Sequence, residues 1–547
     1  MALMRTTAVG FSLIVASLWP AAQAADVPPG TQLHPVQELV RGNGSEPASL
    51  DPQKVEGTTG SAITKDLFEG LVQQDENGNI IPAQATHWEV SGGNKVFTFH
   101  LRDGIKWSNG DPVTAHDFVY GFRRAVDPAT ASRYAWYLEI ATVKNATAII
   151  QGKAEPTTLG ARAIDDKTFE VTLEKPVPYF VRMLAHQNTF PAPQKVIEQH
   201  GDMWTRPENM VTNGAYTLDK WVVNEKIIVK RSPTYWDNAK TVIDQVTFLA
   251  LPANTELARY KADEVDLTLT IPMEHFKSLK KQIPEQIVIS PYLSMYYYEF
   301  NTKVPPFDDW RVRKALSLAV NREAITTYVT GMGQKPAYGF TPDSVAGFTP
   351  PVLDYATWTQ EQRDAEAKRL MAEAGYGIGE DANGNELKRL NVNLLYNTHE
   401  AHKKLAIVVA QLWKPLGVQV RLENQEWKTF LDTRNQGRFE MARAGWAGDY
   451  NEASTMLDVL LSTHGQNKGK WANAEYDQIM EQSRLVESDE ERAKLYTRAE
   501  EIIADEMPVL PVYQSVMAVL KKPYVKGYPE NNVENTIYSK NMYIEKH

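Results

Sequence analysis

The chain has 547 residues, with 58 Lys and Arg against 68 Asp and Glu for a net charge of -10, 10% aromatic residues and no cysteine. Apolar residues at 43% and charged residues at 23% describe a globular protein rather than a disordered or collagen-like one, and at roughly 150 residues per domain the length implies three or four folding units. The acidic balance argues against nucleic-acid binding, which needs a clustered excess of Lys and Arg, and the lack of cysteine excludes disulfides, thiol nucleophiles, iron-sulfur clusters and thiolate zinc sites.

In chain order, residues 1–24 come first: a cation at Arg5, an apolar run from Ala8 to Trp19, and Pro20-Ala-Ala-Gln-Ala24. The run is shorter than the roughly 20 residues of a membrane span, and small residues at Ala22 and Ala24 suit cleavage before Ala25, so the segment reads as a signal peptide. No cysteine follows it for lipidation, so the expected product is exported and soluble. Val96–Leu101 and Phe169–Leu173 alternate with period two, as half-buried strands do. Between them the rhythm turns helical after Thr114, with Asp117 as a capping partner. Farther on, Thr359 and Gln362 form a capping box that opens a helix running to Ala374 and stopping at Gly375. A strand over Leu390–Tyr396, a helix over Lys403–Trp413 and a strand over Val418–Leu422 then make a βαβ unit. A further strand, Phe439–Gly445, leads into Trp446-Ala-Gly-Asp-Tyr-Asn-Glu452. Ligands of open α/β sheets collect beyond the carboxyl ends of strands, so the segments after Tyr396 and after Gly445 should face one site.

Catalytic and metal motifs fail on spacing. His399 and His402 stand three apart rather than the four of a zinc-protease helix. The Asp381 to Glu386 turn lacks the glycine and distal glutamate of a calcium loop, with Val392 at the position of the latter. Ser278-Leu-Lys-Lys281 has no companion motifs and reads as an exposed helix. One cluster has the chemistry of a zwitterion site: Trp427, Arg434, Arg443, Trp446 and Asp449, with His402 near the exit of the neighbouring strand. Asp, Arg and His among indoles can hold an ammonium at one end and a carboxylate at the other. The alternative is an internal Arg443–Asp449 ion pair with the tryptophans in the core.

Several segments carry a family resemblance: Ser49-Leu-Asp-Pro52, Asp66-Leu-Phe-Glu-Gly70, Phe97 through Gly110 with Pro112 through Phe118, Asn213-Gly-Ala-Tyr216, Arg311 through Leu316, Asn424 through Phe430 and Gly448-Asp-Tyr-Asn-Glu452. The chain resembles the peptide-binding solute receptors of bacterial ABC importers, that is, the periplasmic oligopeptide-binding proteins and their murein-tripeptide-binding relatives. The resemblance implies an α/β fold, a two-lobed periplasmic-binding-protein clamshell built from three domains. Domain I would comprise 25–68, 194–293 and 515–547, domain II 69–193, and domain III, the second lobe, 294–514. It implies a periplasmic monomer without cofactor or catalysis that hands short peptides to an inner-membrane ABC permease with its ATPase subunits. By the same resemblance Asp449 meets the peptide ammonium, Arg443 and His402 receive the carboxylate of some ligands, and Val55, Glu56, Gly57 and Thr58 match a strand that pairs with the peptide backbone. Tyr134, Tyr292, Trp427 and Trp446 would line the pocket. The broad oligopeptide receptors carry a cysteine pair at the positions of Ser294 and Ala447 and a lysine near Tyr328, neither present here. Those departures favour the murein-tripeptide branch, in which an arginine matching Arg434 holds an acidic side chain of the ligand. Receptors of this fold also carry metal chelates or haem, but Asp449 and the segment at Glu56 favour peptide. A secreted peptidase would need a nucleophile or metal for which no motif is found.

Overall fold

The structure, a computed structural model, describes residues 25–486 and 488–547; the signal-peptide reading of 1–24 lies outside them. The alternating segment Val96–Leu101 forms the expected strand, with Phe97, Phe99 and Leu101 buried and the intervening residues partly exposed. It lies in a four-stranded antiparallel sheet with Ala85–Ser91, Thr168–Thr172 and Ala161–Asp165. The helix Ala115–Val126 covers the buried face, setting Phe118 and Phe122 against Phe169 at ring separations of 5.7 and 5.1 Å. Its start is fixed as the sequence implies: the Asp117 carboxylate accepts the Thr114 N–H at 2.7 Å, satisfying a donor that the helix leaves free.

A second four-stranded sheet orders Glu38–Gly42, Gln245–Leu249, Lys226–Arg231 and Tyr216–Val222. The largest sheet has six strands in the order Lys335–Pro336, Val509–Leu520, Ile287–Phe300, Met441–Ala447, Leu390–Asn397 and Val418–Gln425. The βαβ reading holds: Leu390–Asn397 and Val418–Gln425 pair in parallel, from Leu390 opposite Val418 to Asn397 opposite Gln425. Leu394 and Leu395 also pair in parallel with Met441 and Ala442, so three strands deliver their carboxyl ends to one edge.

Two boundaries move. The helix after the first of these strands spans Glu400–Leu412, starting three residues earlier than its apolar rhythm indicates, because the His399 imidazole Nδ1 accepts the Ala401 N–H at 3.2 Å and acts as the cap. His402 therefore sits in the first helical turn. The last strand runs Met441–Ala447 rather than Phe439–Gly445. The Asn301 side-chain amide takes the Gly437 and Phe439 carbonyls at 3.1 and 3.0 Å, holding that stretch out of the ladder.

Ile287–Phe300 and Val509–Leu520 run antiparallel over nearly their full length, with an irregularity between Pro291 and Met295. Their outer ends pack with the second sheet: Leu520, Ala518 and Ile287 share a core with Leu249 and Tyr260. Their inner ends belong to another core, where Tyr296, Tyr298, Leu510 and Val512 meet Leu394 and Trp413. One strand pair thus passes from one hydrophobic core to the next.

Candidate ligand-binding cleft

The loop after Met441–Ala447 is pinned from both sides. The Thr455 hydroxyl accepts the Asp449 N–H at 2.8 Å, and the Trp446 indole donates to the Thr455 carbonyl at 2.6 Å. Gly448 donates to the Leu293 carbonyl at 2.7 Å; a side chain there would meet Leu293 at 2.5 Å. This close approach delivers Asp449 to a largely enclosed position, with its side chain 11% exposed.

No salt bridge joins Asp449 to Arg443 among the described residues, so the internal ion pair is not formed. The nearest charged-type group to Asp449 is His186, whose Nε2 lies 3.5 Å from Oδ1. That contact is not ionic. Burial, with Lys65 nearby, holds the imidazole pKa well below its ordinary value. The Asn188 N–H donates to Nδ1 at 3.3 Å, and the Gln187 side-chain amide nitrogen stands 3.0 Å from Nε2. Burial pushes the Asp449 carboxyl up to about 8, with Lys65 opposing and Glu534 reinforcing the shift. Glu534 is itself pushed up to about 7 by burial. Tyr134 and Tyr292 belong to the same pocket: burial and then the Asp449 charge raise both phenols. The Tyr134 ring stacks on His186 at 4.9 Å, and Trp136 stands 6.1 Å from Trp446.

Arg443 and His402 form a second station. The guanidinium lies over the Tyr296 ring at 4.8 Å, and the Tyr296 and His402 ring centroids are 5.5 Å apart. Burial and then the Arg443 charge push His402 well below the usual imidazole range and His399 to about 4. At neutral pH the cation here is therefore Arg443. Its Nε and the His402 Nδ1 are buried without a hydrogen-bond partner among the described residues, an arrangement that suits an incoming carboxylate.

At the third station Arg434 makes a two-pronged pair with Glu299, Nη2 to Oε2 at 3.2 Å and Nε to Oε1. Burial works against this charge, but Glu299 more than offsets it and the pKa rises. Lys468 is pushed down to about 8 by burial and by Arg434, while Glu56 and Glu299 oppose the shift. Val55, Glu56 and Gly57 form no strand within the chain: they are an extended and bent segment leading into the helix Thr58–Leu67. Gly57 has φ 86°, a conformation L side chains rarely adopt, and a Cβ there would lie 3.2 Å from Trp427 Cζ2. Trp427 and this segment thus face one another, and the Trp427 Nε1 has no hydrogen-bond partner among the described residues.

The structure therefore brings Asp449, Tyr134, Tyr292 and Trp446 together, puts Arg443 beside His402, and joins Arg434, Trp427 and residues 55–58. Sequence reasoning missed Lys65, His186, Glu299, Lys468 and Glu534. Isolated single residues in unremarkable contexts left no signal for them. Ser294 and Ala447, where the broad receptors would have cysteines, stand directly opposite on paired antiparallel strands. Tyr328 is 85% exposed.

Residues 79–468 match the bacterial extracellular solute-binding proteins, family 5. The chain is 49% identical to the periplasmic oligopeptide-binding protein of Escherichia coli over 96% of each chain. It is 47% identical to the periplasmic murein peptide-binding protein of the same organism over 98% of each. Among solved structures, that of the E. coli murein tripeptide-binding protein superposes with a TM-score of 0.91 at 46% identity, covering 94% of this chain and all of the other. The Haemophilus influenzae oligopeptide-binding protein in complex with RPPGFSPFR gives 0.89 at 45% identity, again over 94% of this chain and 100% of its own. The unliganded open form of the murein tripeptide-binding protein gives 0.69 at 47% identity, over 95% and 99%. Two structures of one relative differ this much in score at nearly equal identity, and the chain is less like the unliganded open form than like the other. From its fold, cleft and similarity, the chain belongs to family 5 of the bacterial extracellular solute-binding proteins, a family of binding proteins and not of enzymes.

Proposed function

We propose that this protein captures short peptides between its lobes and delivers them to an inner-membrane ABC permease with its ATPase subunits, acting as a soluble periplasmic monomer exported by residues 1–24. Domain I is 25–68, 194–293 and 515–547, domain II 69–193 and domain III 294–514. The strand irregularity between Pro291 and Met295 and the change of core along that strand pair support a hinge there. In this reading Asp449 receives the peptide ammonium and Arg443 with His402 the carboxylate. Residues Val55, Glu56, Gly57 and Thr58 offer backbone to the peptide, while Tyr134, Tyr292, Trp427 and Trp446 enclose it. Backbone and termini are common to all peptides, so such a site binds without reading side chains.

The observation that carries the proposal is Asp449: a buried carboxyl pushed up to about 8 beside a neutral imidazole, an arrangement that a ligand ammonium would complete. Mass spectrometry of ligands released by denaturing the purified protein tests it. Short peptides are the expected result; a consistently non-peptide cargo, such as a haem or metal chelate, would overturn it.

A murein tripeptide is favoured over general peptides by Arg434, which can share its charge between Glu299 and an acidic ligand side chain. Diaminopimelate in the released ligand is the expected signature. Ligands lacking it would leave the peptide reading standing and remove the murein one.

A further inference from the structure

Outside the cleft, three side chains on the solvent face of the sheet around Phe97 converge. His87 and His100 are direct cross-strand partners on Ala85–Ser91 and Val96–Leu101, and Glu89 lies two residues along on the same face as His87. The imidazoles stack with centroids 4.4 Å apart and planes inclined by 11°. The Glu89 Oε1 is 3.6 Å from His100 Nε2, and one donor atom from each of the three residues lies within 4.8 Å of the others. The strand Ala85–Ser91 is at the edge of its sheet.

The hydrogen bonding around the two rings suits a metal rather than a plain surface cluster. The Thr86 hydroxyl donates to the His100 carbonyl at 3.2 Å and stands 2.8 Å from His87 Nδ1. Thr86 thus holds the His87 ring through Nδ1 and leaves Nε2 as the nitrogen that can meet an ion. An outer hydrogen bond of this kind is what orients metal-bound histidines. On the other strand, His100 Nε2 is buried with no hydrogen-bond partner among the described residues.

We propose that His87, His100 and Glu89 form a site for a borderline divalent transition metal, with Zn2+ as the representative ion. Two imidazoles and a carboxylate suit Zn2+, Ni2+ or Cu2+, whereas Ca2+ and Mg2+ require oxygen donors. Bonds of about 2.0–2.2 Å in a tetrahedron separate ligand atoms by about 3.4 Å, so the side chains need only small rotations to close on an ion. Three protein ligands leave a fourth position open to water. The bound ion would tie the edge strand to its neighbour on the solvent face.

The test is calorimetric titration of the untagged, chelator-treated full-length mature protein with ZnCl2, with CoCl2 absorption as a report of coordination geometry and CaCl2 as a control. One equivalent of Zn2+ and tetrahedral Co2+ bands are expected, together with a rise in melting temperature. His87→Gln and His100→Gln should each weaken uptake at least about tenfold, and Ca2+ should give no saturable binding. The exposed His87 makes its variant one that folds, checked by circular dichroism. Absence of saturable Zn2+ uptake overturns the proposal, as does uptake unchanged in both folded variants. Loss of uptake in His34→Gln instead, pointing to the stacked His34–His547 pair, overturns it equally.

Discussion

Asp449 links burial to ligand dependence. On the proposed clamshell motion, an open cleft would solvate its carboxyl and return it toward the ordinary 3.8, whereas burial here pushes it up to about 8. Closing without an ammonium therefore costs roughly 4 kcal/mol at pH 7, which a bound ammonium relieves. A raised acid pKa in the closed state means that empty closure takes up a proton. The cost is absent below the open-state value, grows as pH rises between about 4 and 8, and then levels off. Ligand-free protein should accordingly be more compact at pH 5 than at pH 8 in small-angle scattering, and equal dimensions would contradict this. Asp449→Asn removes the charge but keeps the shape. It should weaken peptide binding by about 2 to 5 kcal/mol in calorimetry and reduce the pH dependence of empty closure, leaving the share of Glu534. Asp449 and Arg443 stood out in the sequence because they lie in one short segment with tryptophans. Lys65 and Glu534, whose charges act on Asp449 besides its burial, and His186, which touches it, come from distant segments and are invisible there.

At the scale of elements, local chemistry was the most legible. The Thr359 box forms as read, with the Thr359 hydroxyl accepting the Gln362 N–H at 3.3 Å and the Gln362 amide oxygen accepting the Thr359 N–H at 2.8 Å. Thr359→Ala should lower stability by about 1 kcal/mol, measured by urea denaturation, with peptide affinity unchanged. The start of the helix Glu400–Leu412 is not legible in the sequence, because its histidine cap is not among the usual capping residues. The pairing of Ser294 with Ala447 is a tertiary fact: antiparallel partners have Cα atoms about 4.5–5.5 Å apart, inside the span that a disulfide bridges. The double variant Ser294→Cys with Ala447→Cys should form a disulfide on periplasmic expression, seen as a loss of two hydrogens by intact mass. Persistent free thiols would show that the two strands are not held in this register.

Across the whole molecule, segments assigned to different lobes in the proposed domain division touch. Tyr179 stacks on Tyr450 at 5.3 Å, Arg182 donates to the Asn451 carbonyl at 3.3 Å, Lys404 pairs with Glu274 at 2.6 Å, and Lys175 pairs with Glu481. The ion pairs are exposed, with side-chain accessibilities of 42% and 56% for Lys175 and Glu481, so each adds about 0 to 1 kcal/mol and weakens with salt. Lys175→Ala should therefore change peptide affinity by less than about 1 kcal/mol in the same calorimetry. A larger loss would mean that the rim pairs, rather than Asp449 and the ligand, drive closure. With weak rim contacts beside a costly enclosed carboxyl, the closed population of the proposed cleft would depend on ligand.

By itself the sequence determined the periodic strands and helices, the Thr114 and Thr359 caps, the βαβ unit, the exclusion of thiol chemistry and the segment from Trp427 to Asp449 that carries five of the candidate cleft residues. These follow from nearest-neighbour physics: side-chain alternation, capping hydrogen bonds and the rule that strand ends gather ligands. Only the tertiary structure decided that Asp449 is unpaired while Arg434 is paired, that residues 55–57 form no strand within the chain, and that a strand pair joins two cores. Charge state and pairing depend on which distant groups share a dry pocket, and no spacing along the chain encodes that distance.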